Sequence, residues 1–122
     1  MAQTFEDLEI WKRSSRRAVN ICKSLVQCKN FALRDQIQRS AVSVPSNIAE
    51  GKERDSQKEF SRFLKIAKAS NAELRTQLYI GKELEIFTSE LAKEFIEETK
   101  ELSKMMQAMV NSIEHRTIKQ RS

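Results

Sequence analysis

The chain has 122 residues and a formal net charge of +5, with 39% hydrophobic and 32% charged residues. That apolar share is too high for a disordered chain, and the length suits one domain with its own core. Two Gly and one Pro are too few turn formers for a strand-and-turn architecture, so the composition points to helices.

The first predicted helix runs from Thr4 to Gln27. Leu8, Trp11, Ser15, Ala18, Cys22 and Leu25 alternate in steps of three and four, the spacing of a seam packed against near-parallel neighbours. Opposite that seam, Lys12, Arg13, Arg16, Arg17 and Lys23 fall within about 140° of arc. Cys22 and Cys28 are six residues apart on this helix, on different faces, and read as two reduced thiols.

The second helix is expected over Phe31–Glu50, capped by Asn30 and stopped by Gly51. Leu33, Ile37, Ala41, Val44 and Ile48 form its apolar side. Pro45 removes one backbone donor and clashes with the previous turn. A kink is expected there, with Ser43 or Ser46 serving the freed carbonyl. Gln36, Arg39, Ser43, Asn47 and Glu50 share a polar face. Such a stripe suits a helix–helix contact within a chain or between chains, here assigned to an oligomer interface; a solvent-facing surface is the plain alternative.

The third helix starts at Ser56-Gln57-Lys58-Glu59, the pattern of a reciprocal capping box. Its inward set is Phe60, Phe63, Ala67, Ser70, Leu74, Gln77, Gly81 and Leu84, and Lys58, Arg62 and Lys65 form a second basic stripe. The fourth helix begins after Thr88 and reaches about His115, with Leu91, Phe95, Thr99, Leu102, Met106, Met109 and Ile113 inward. Short connections then force an all-α, up-down-up-down antiparallel four-helix bundle over residues 1–116, leaving a basic, frayed tail over 117–122.

Catalytic devices are hard to find. The single histidine, His115, has no nucleophile placed beside it by sequence, and suits a helix C-terminus better. Inward Glu and Glu-x-x-His pairs, as in di-iron bundles, are missing, so neither metal nor cofactor is expected. No Arg stands shortly before His115, as the helical HEPN ribonucleases require. Glu94, Glu97, Glu98 and Glu101 alternate with lysines and read as a solvated face. No apolar run approaches the ~20 residues of a membrane span, and the acidic start does not suit a signal peptide; a cytoplasmic location is expected.

Charge is uneven. Residues 1–29 carry six bases against three acids and residues 52–87 eight against six, while the other segments balance. Basic stripes on rigid helices track phosphates without reading bases, or simply keep a surface soluble. The stripes of the first and third helices are therefore the candidate contacts for RNA or DNA.

The run Phe5-Glu6-Asp7-Leu8-Glu9-Ile10-Trp11-Lys12 and the stretch from Asp35 to Gly51, with its Val44-Pro45-Ser46-Asn47-Ile48-Ala49-Glu50-Gly51, resemble the four-helix bundle proteins encoded in intervening sequences of 23S rRNA genes. Glu59-Phe60-Ser61-Arg62-Phe63-Leu64 and Ala72-Glu73-Leu74 fit as well, and the resemblance spans residues 5 to 115. It implies an antiparallel bundle assembled as a homopentamer. It also implies a distant kinship to the accessory protein of diversity-generating retroelements, a basic pentamer that binds nucleic acid and a reverse transcriptase. Members often have a longer, acidic loop between the first two helices than Leu25–Asn30 provides here. The leading expectation is thus a non-enzymatic oligomer that binds structured RNA or an RNA–DNA hybrid. The alternatives are a protein-interaction scaffold, such as a reverse-transcriptase accessory subunit, and a degenerate nuclease bundle.

Overall fold

A computed structural model describes residues 3–121. A 3-10 turn at Phe5–Asp7 leads into α1 (Glu9–Ser24), followed by α2 (Phe31–Glu53), α3 (Gln57–Glu83) and α4 (Ser89–Arg121). The first predicted helix is therefore two pieces. The backbone N–H of Thr4 donates to the Asp7 carboxylate at 3.0 Å, and Leu8 is extended (φ −78°, ψ 127°), which separates the turn from α1.

Local signals account for most of the ends. Asn30 accepts from the Leu33 N–H at 3.2 Å and starts α2, and Thr88 accepts from the Leu91 N–H at 3.2 Å and starts α4. Ser56 accepts from the Glu59 N–H at 3.1 Å, but the return half of the expected box goes elsewhere, because Glu59 binds Arg62 instead. The expected stop at Gly51 is also revised. Gly51 is buried inside α2, which continues to Glu53. A Cβ there would stand 2.5 Å from the Cβ of Phe63, so the residue serves close approach of α3. α2 runs without interruption through the buried Pro45. Neither serine serves the carbonyl freed there: Ser46 Oγ donates to the Val42 carbonyl at 2.8 Å, and Ser43 shares a 3.0 Å hydrogen bond with Ser70. α4 carries on through Thr117, whose hydroxyl donates to the Ile113 carbonyl at 3.0 Å, into the segment expected to fray. Cys28 falls in the turn after α1 rather than on it, and both thiols are free.

Residue pairs orient the helices. Ser43 meets Ser70 and Ser40 meets Glu73, Lys68 meets Gln107 and Ser61 meets Glu114, while Arg13 meets Glu98. As residue numbers rise along α2 they fall along α3, and as they rise along α3 they fall along α4, so each of these two pairs of helices runs antiparallel. The apolar core falls into two clusters. One gathers Leu8, Ile10, Val44, Ile48, Phe60, Leu64, Leu102 and Met106, the other Ala18, Ile21, Leu25, Ile37, Leu74, Leu78, Phe87 and Phe95. Between them in sequence on α1, α3 and α4 lie the buried polar residues Ser14, Arg17, Asn71 and Thr99.

Candidate nucleic-acid interface

α1 is the most one-sided element in charge, with five bases (Lys12, Arg13, Arg16, Arg17, Lys23) and one acid, Glu9. Its buried face is turned from the expected one. Ile10, Ser14, Arg17, Ala18 and Ile21 are buried, while Trp11, Ser15 and Cys22 are only half-buried. Leu8 and Leu25, which flank the helix, and Ala18 within it are buried as the expected seam has them, but between them Ile10 and Ile21 take the inward places of Trp11 and Cys22.

That rotation takes Arg17 off the surface, and the assignment of Arg17 to an outward phosphate-binding face is corrected. It is 3% exposed. Its Nη1 donates to Asn71 Oδ1 at 2.5 Å and to Thr99 Oγ1 at 3.0 Å. Asn71 Nδ2 donates to the Thr99 carbonyl at 2.8 Å, and the Thr99 hydroxyl to the Phe95 carbonyl at 2.7 Å. Arg17 Nε and Nη2 have no hydrogen-bond partner among the described residues. Burial pushes the guanidinium down to about 10, against the pull of the Glu98 charge, so it stays protonated at neutral pH. Sequence reasoning did place Thr99 inward, and that polar residue on a core seam was the available hint of a buried partner.

Arg13 stands at the edge of the same region. Its guanidinium forks onto Glu98, Nη2 to Oε1 at 2.6 Å and Nε to Oε2 at 3.0 Å, and these hydrogen bonds raise its pKa. Arg13 is thus spoken for, and Glu98 is taken out of the solvated set it was grouped with. Glu94, Glu97 and Glu101 remain exposed. With Glu98 they form one wall of a cleft whose other wall is Arg13, Arg16 and Arg17.

Lys12, Arg16 and Lys23 are left. All three are exposed and form no ion pair among the described residues. Steps of four and seven put them within about 40° of arc, spread over roughly 16 Å of helix axis. Beside this row, Trp11, Lys12, Ser15, Arg16 and Val19 line a shallow groove.

The second stripe is less available. Arg62 is bound to Glu59 (Nε to Oε2, 2.9 Å) and its guanidinium lies 4.6 Å from the centre of the Phe63 ring. The Arg62 contact holds the Glu59 carboxyl below its usual range. Lys65 Nζ is 2.6 Å from Glu114 Oε1, and this lowers the Glu114 pKa likewise. Lys58 is exposed, with no ion pair among the described residues. Arg62 is thus engaged within α3 and Lys65 ties α3 to α4, so the stripe does not form a free track.

The polar stripe of α2 divides. Ser43 and Asn47 work inside the chain: Asn47 Nδ2 donates to the Ser43 carbonyl at 2.9 Å, and Ser43 is bound to Ser70. Gln36, Arg39 and Glu50 are exposed. His115 is exposed as well. Among the described residues no group of His, Cys, Asp or Glu could hold a metal ion, and no helix is long and apolar enough to cross a membrane.

The family model for the 23S rRNA-intervening sequence protein matches residues 6–108. Among solved structures, a protein with unknown function from the S23 ribosomal protein family of Bacteroides thetaiotaomicron VPI-5482 is 28% identical, with a TM-score of 0.78 over 83% of this chain and 97% of that one. No curated protein matches the sequence.

Proposed function

Since the chain belongs to the 23S rRNA-intervening sequence protein family, we propose that it is a non-enzymatic, nucleic-acid-binding protein of the cytoplasm, working as a homo-oligomer. Its ligand is structured RNA or an RNA–DNA hybrid held by its phosphates. The observation that carries this reading is the row of Lys12, Arg16 and Lys23, exposed and without ion pairs among the described residues on the helix with the largest charge excess. Phosphates neutralised by such cations release condensed counterions, so binding falls steeply with salt. Backbone contacts position a strand without reading it.

The test is a triple variant, Lys12→Gln, Arg16→Gln and Lys23→Gln. All three side chains are exposed, so circular dichroism should be unchanged. Affinity should fall at least ten-fold for every sequence, and the log–log salt slope should flatten by roughly 2 to 3. A variant that binds as the parent does at physiological salt would remove the row from consideration. A protein-interaction scaffold, with a partner such as a reverse transcriptase, would then be the better reading.

A further inference from the structure

The groove beside the basic row has a composition of its own. Its lining is Trp11, Lys12, Ser15, Arg16 and Val19: two cations, a hydroxyl, an indole and an exposed apolar side chain, with no acid. Val19 is 42% exposed in the middle of a helix. Trp11 is half-buried, and Phe5 meets it edge-on, with ring centroids 5.2 Å apart at 64°. That contact is made by the turn that precedes α1, and both rings also pack against the first core cluster, which leaves part of the indole facing the groove. The other flank of α1, which Arg16 borders as well, is different in kind, because Glu94, Glu97, Glu98 and Glu101 stand along it.

We infer that this groove takes an unpaired base, so that the bound nucleic acid is single-stranded where it crosses α1, as in a loop of a structured RNA. The inference rests on the proposed nucleic-acid function and narrows it. Lys12 and Arg16 supply the charge for the phosphates on either side, and Trp11 and Val19 supply the apolar surface against which a base stacks. Stacking on an aromatic side chain tolerates any base, in keeping with contacts that do not read sequence. A duplex is broader than a single strand, and laid over α1 it would bring its second line of phosphates against the acids of α4. A single strand can keep to the groove side.

The chain has one Trp, so its fluorescence reports this groove alone. The full-length protein is titrated with an end-labelled twelve-nucleotide oligo(U) and with a labelled twelve-base-pair RNA duplex. Label anisotropy and Trp emission are followed together. The expected result is emission quenched in step with anisotropy for oligo(U), and duplex binding at least ten-fold weaker. Trp11→Leu should lose roughly ten-fold on oligo(U) with little change on the duplex, while Trp11→Phe keeps most of the affinity. Anisotropy that rises equally for both ligands, with emission unmoved, overturns the inference and leaves the phosphate-binding function standing. No anisotropy change with either ligand overturns both. Emission that shifts with protein concentration alone assigns the groove to a second copy of the chain, and that also overturns the inference. The two titrations of the parent protein decide the matter even if the Trp11 variants fold poorly.

Discussion

Arg17 carries a full positive charge into a nearly dry layer of the bundle. Removing a charge of this kind from water costs several kcal/mol, and two neutral hydrogen bonds from Nη1 return only part of it. The double change Arg17→Met and Asn71→Leu should therefore raise stability, by about 1 to 4 kcal/mol, by joining the two apolar clusters. Asn71→Ala alone should lower it by about 3 kcal/mol, because it strips an acceptor from a buried cation. Urea melts distinguish these outcomes, and a double variant that melts as early as Asn71→Ala would mean the polar layer is net stabilising. Glu85 is a second unusual position, with φ at 58° in the left-handed region. It closes α3: its N–H bonds the Lys82 carbonyl at 3.0 Å, and the Ile86 N–H bonds the Gly81 carbonyl at 2.9 Å, the two bonds of a Schellman cap. Glycine adopts that conformation without the side-chain clash, so Glu85→Gly should add about 1 kcal/mol, read as a rise in melting temperature. Neither position was legible in the sequence. Arg17 looked like one more member of a basic stripe, and nothing in Leu84-Glu85-Ile86 marks a left-handed residue.

At the scale of the helices, the apolar spacing located all four, and hydroxyl or amide caps fixed the starts of three. Seams running through Ile37–Ile48, Phe60–Gly81 and Phe95–Ile113 point inward as their periodicity says, except at the end of α3, where Leu84 is exposed. α1 is where periodicity failed to decide. Two apolar lines compete on it, one through Trp11 and Cys22 and one through Ile10 and Ile21, and their relative burial depends on where the preceding turn ends. Asp7 sets that turn through its bond to the Thr4 N–H. The row of Lys12, Arg16 and Lys23 was legible, since it stays outward under either choice, whereas Arg13 and Arg17 were not. Gly51 shows the other limit. A glycine near a helix end reads as a stop, yet here α2 and α3 meet across it, with Phe63 Cβ 2.5 Å and Phe60 Cδ1 3.3 Å from where a Cβ would be. Gly51→Ala should push the two helices apart and cost about 1 to 3 kcal/mol, despite alanine's better helix propensity. At Gly81 the close neighbour of an added Cβ is the outer part of the Phe87 ring, at 2.9 Å, a side chain and not a second helix's Cβ, so Gly81→Ala should cost less. Equal losses in parallel thermal melts would show that backbone separation is not what distinguishes the two sites.

At the scale of the whole molecule, the proposed assembly needs a surface that one chain leaves uncovered. Ile66, Glu73 and Ile80 are seven residues apart and form one row on α3. Glu73 accepts from Ser40 at 3.3 Å, so the row borders α2. Ile66 is 38% and Ile80 46% exposed, and neither is part of the two core clusters. Across the border, Gln36, Arg39 and Glu50 are the exposed remainder of the α2 stripe, its Ser43 and Asn47 being used within the chain. Two exposed isoleucines about 21 Å apart along α3, with Glu73 between them and polar side chains across the border, are what a protein–protein contact on this face would use: the branched side chains supply burial and the polar groups supply register. This seam lies on α2 and α3, apart from the basic row of α1, so self-association would leave the nucleic-acid face free and repeat it around the assembly. A strand long enough to reach several copies would then bind more tightly than one row allows. The parent protein should scatter light at about five times its 14.2 kDa chain mass, the number that the family resemblance suggests. Ile66→Glu with Ile80→Glu should bring the mass down to that of one chain. Circular dichroism should stay the same, because both side chains already face water. The same variant should still bind a short oligonucleotide, and lose the gain in affinity that a long one enjoys. A parent protein that is monomeric at micromolar concentration would end the proposal of assembly. An oligomer that survives the two glutamates would place the contact elsewhere, with the α1 groove next to be tested.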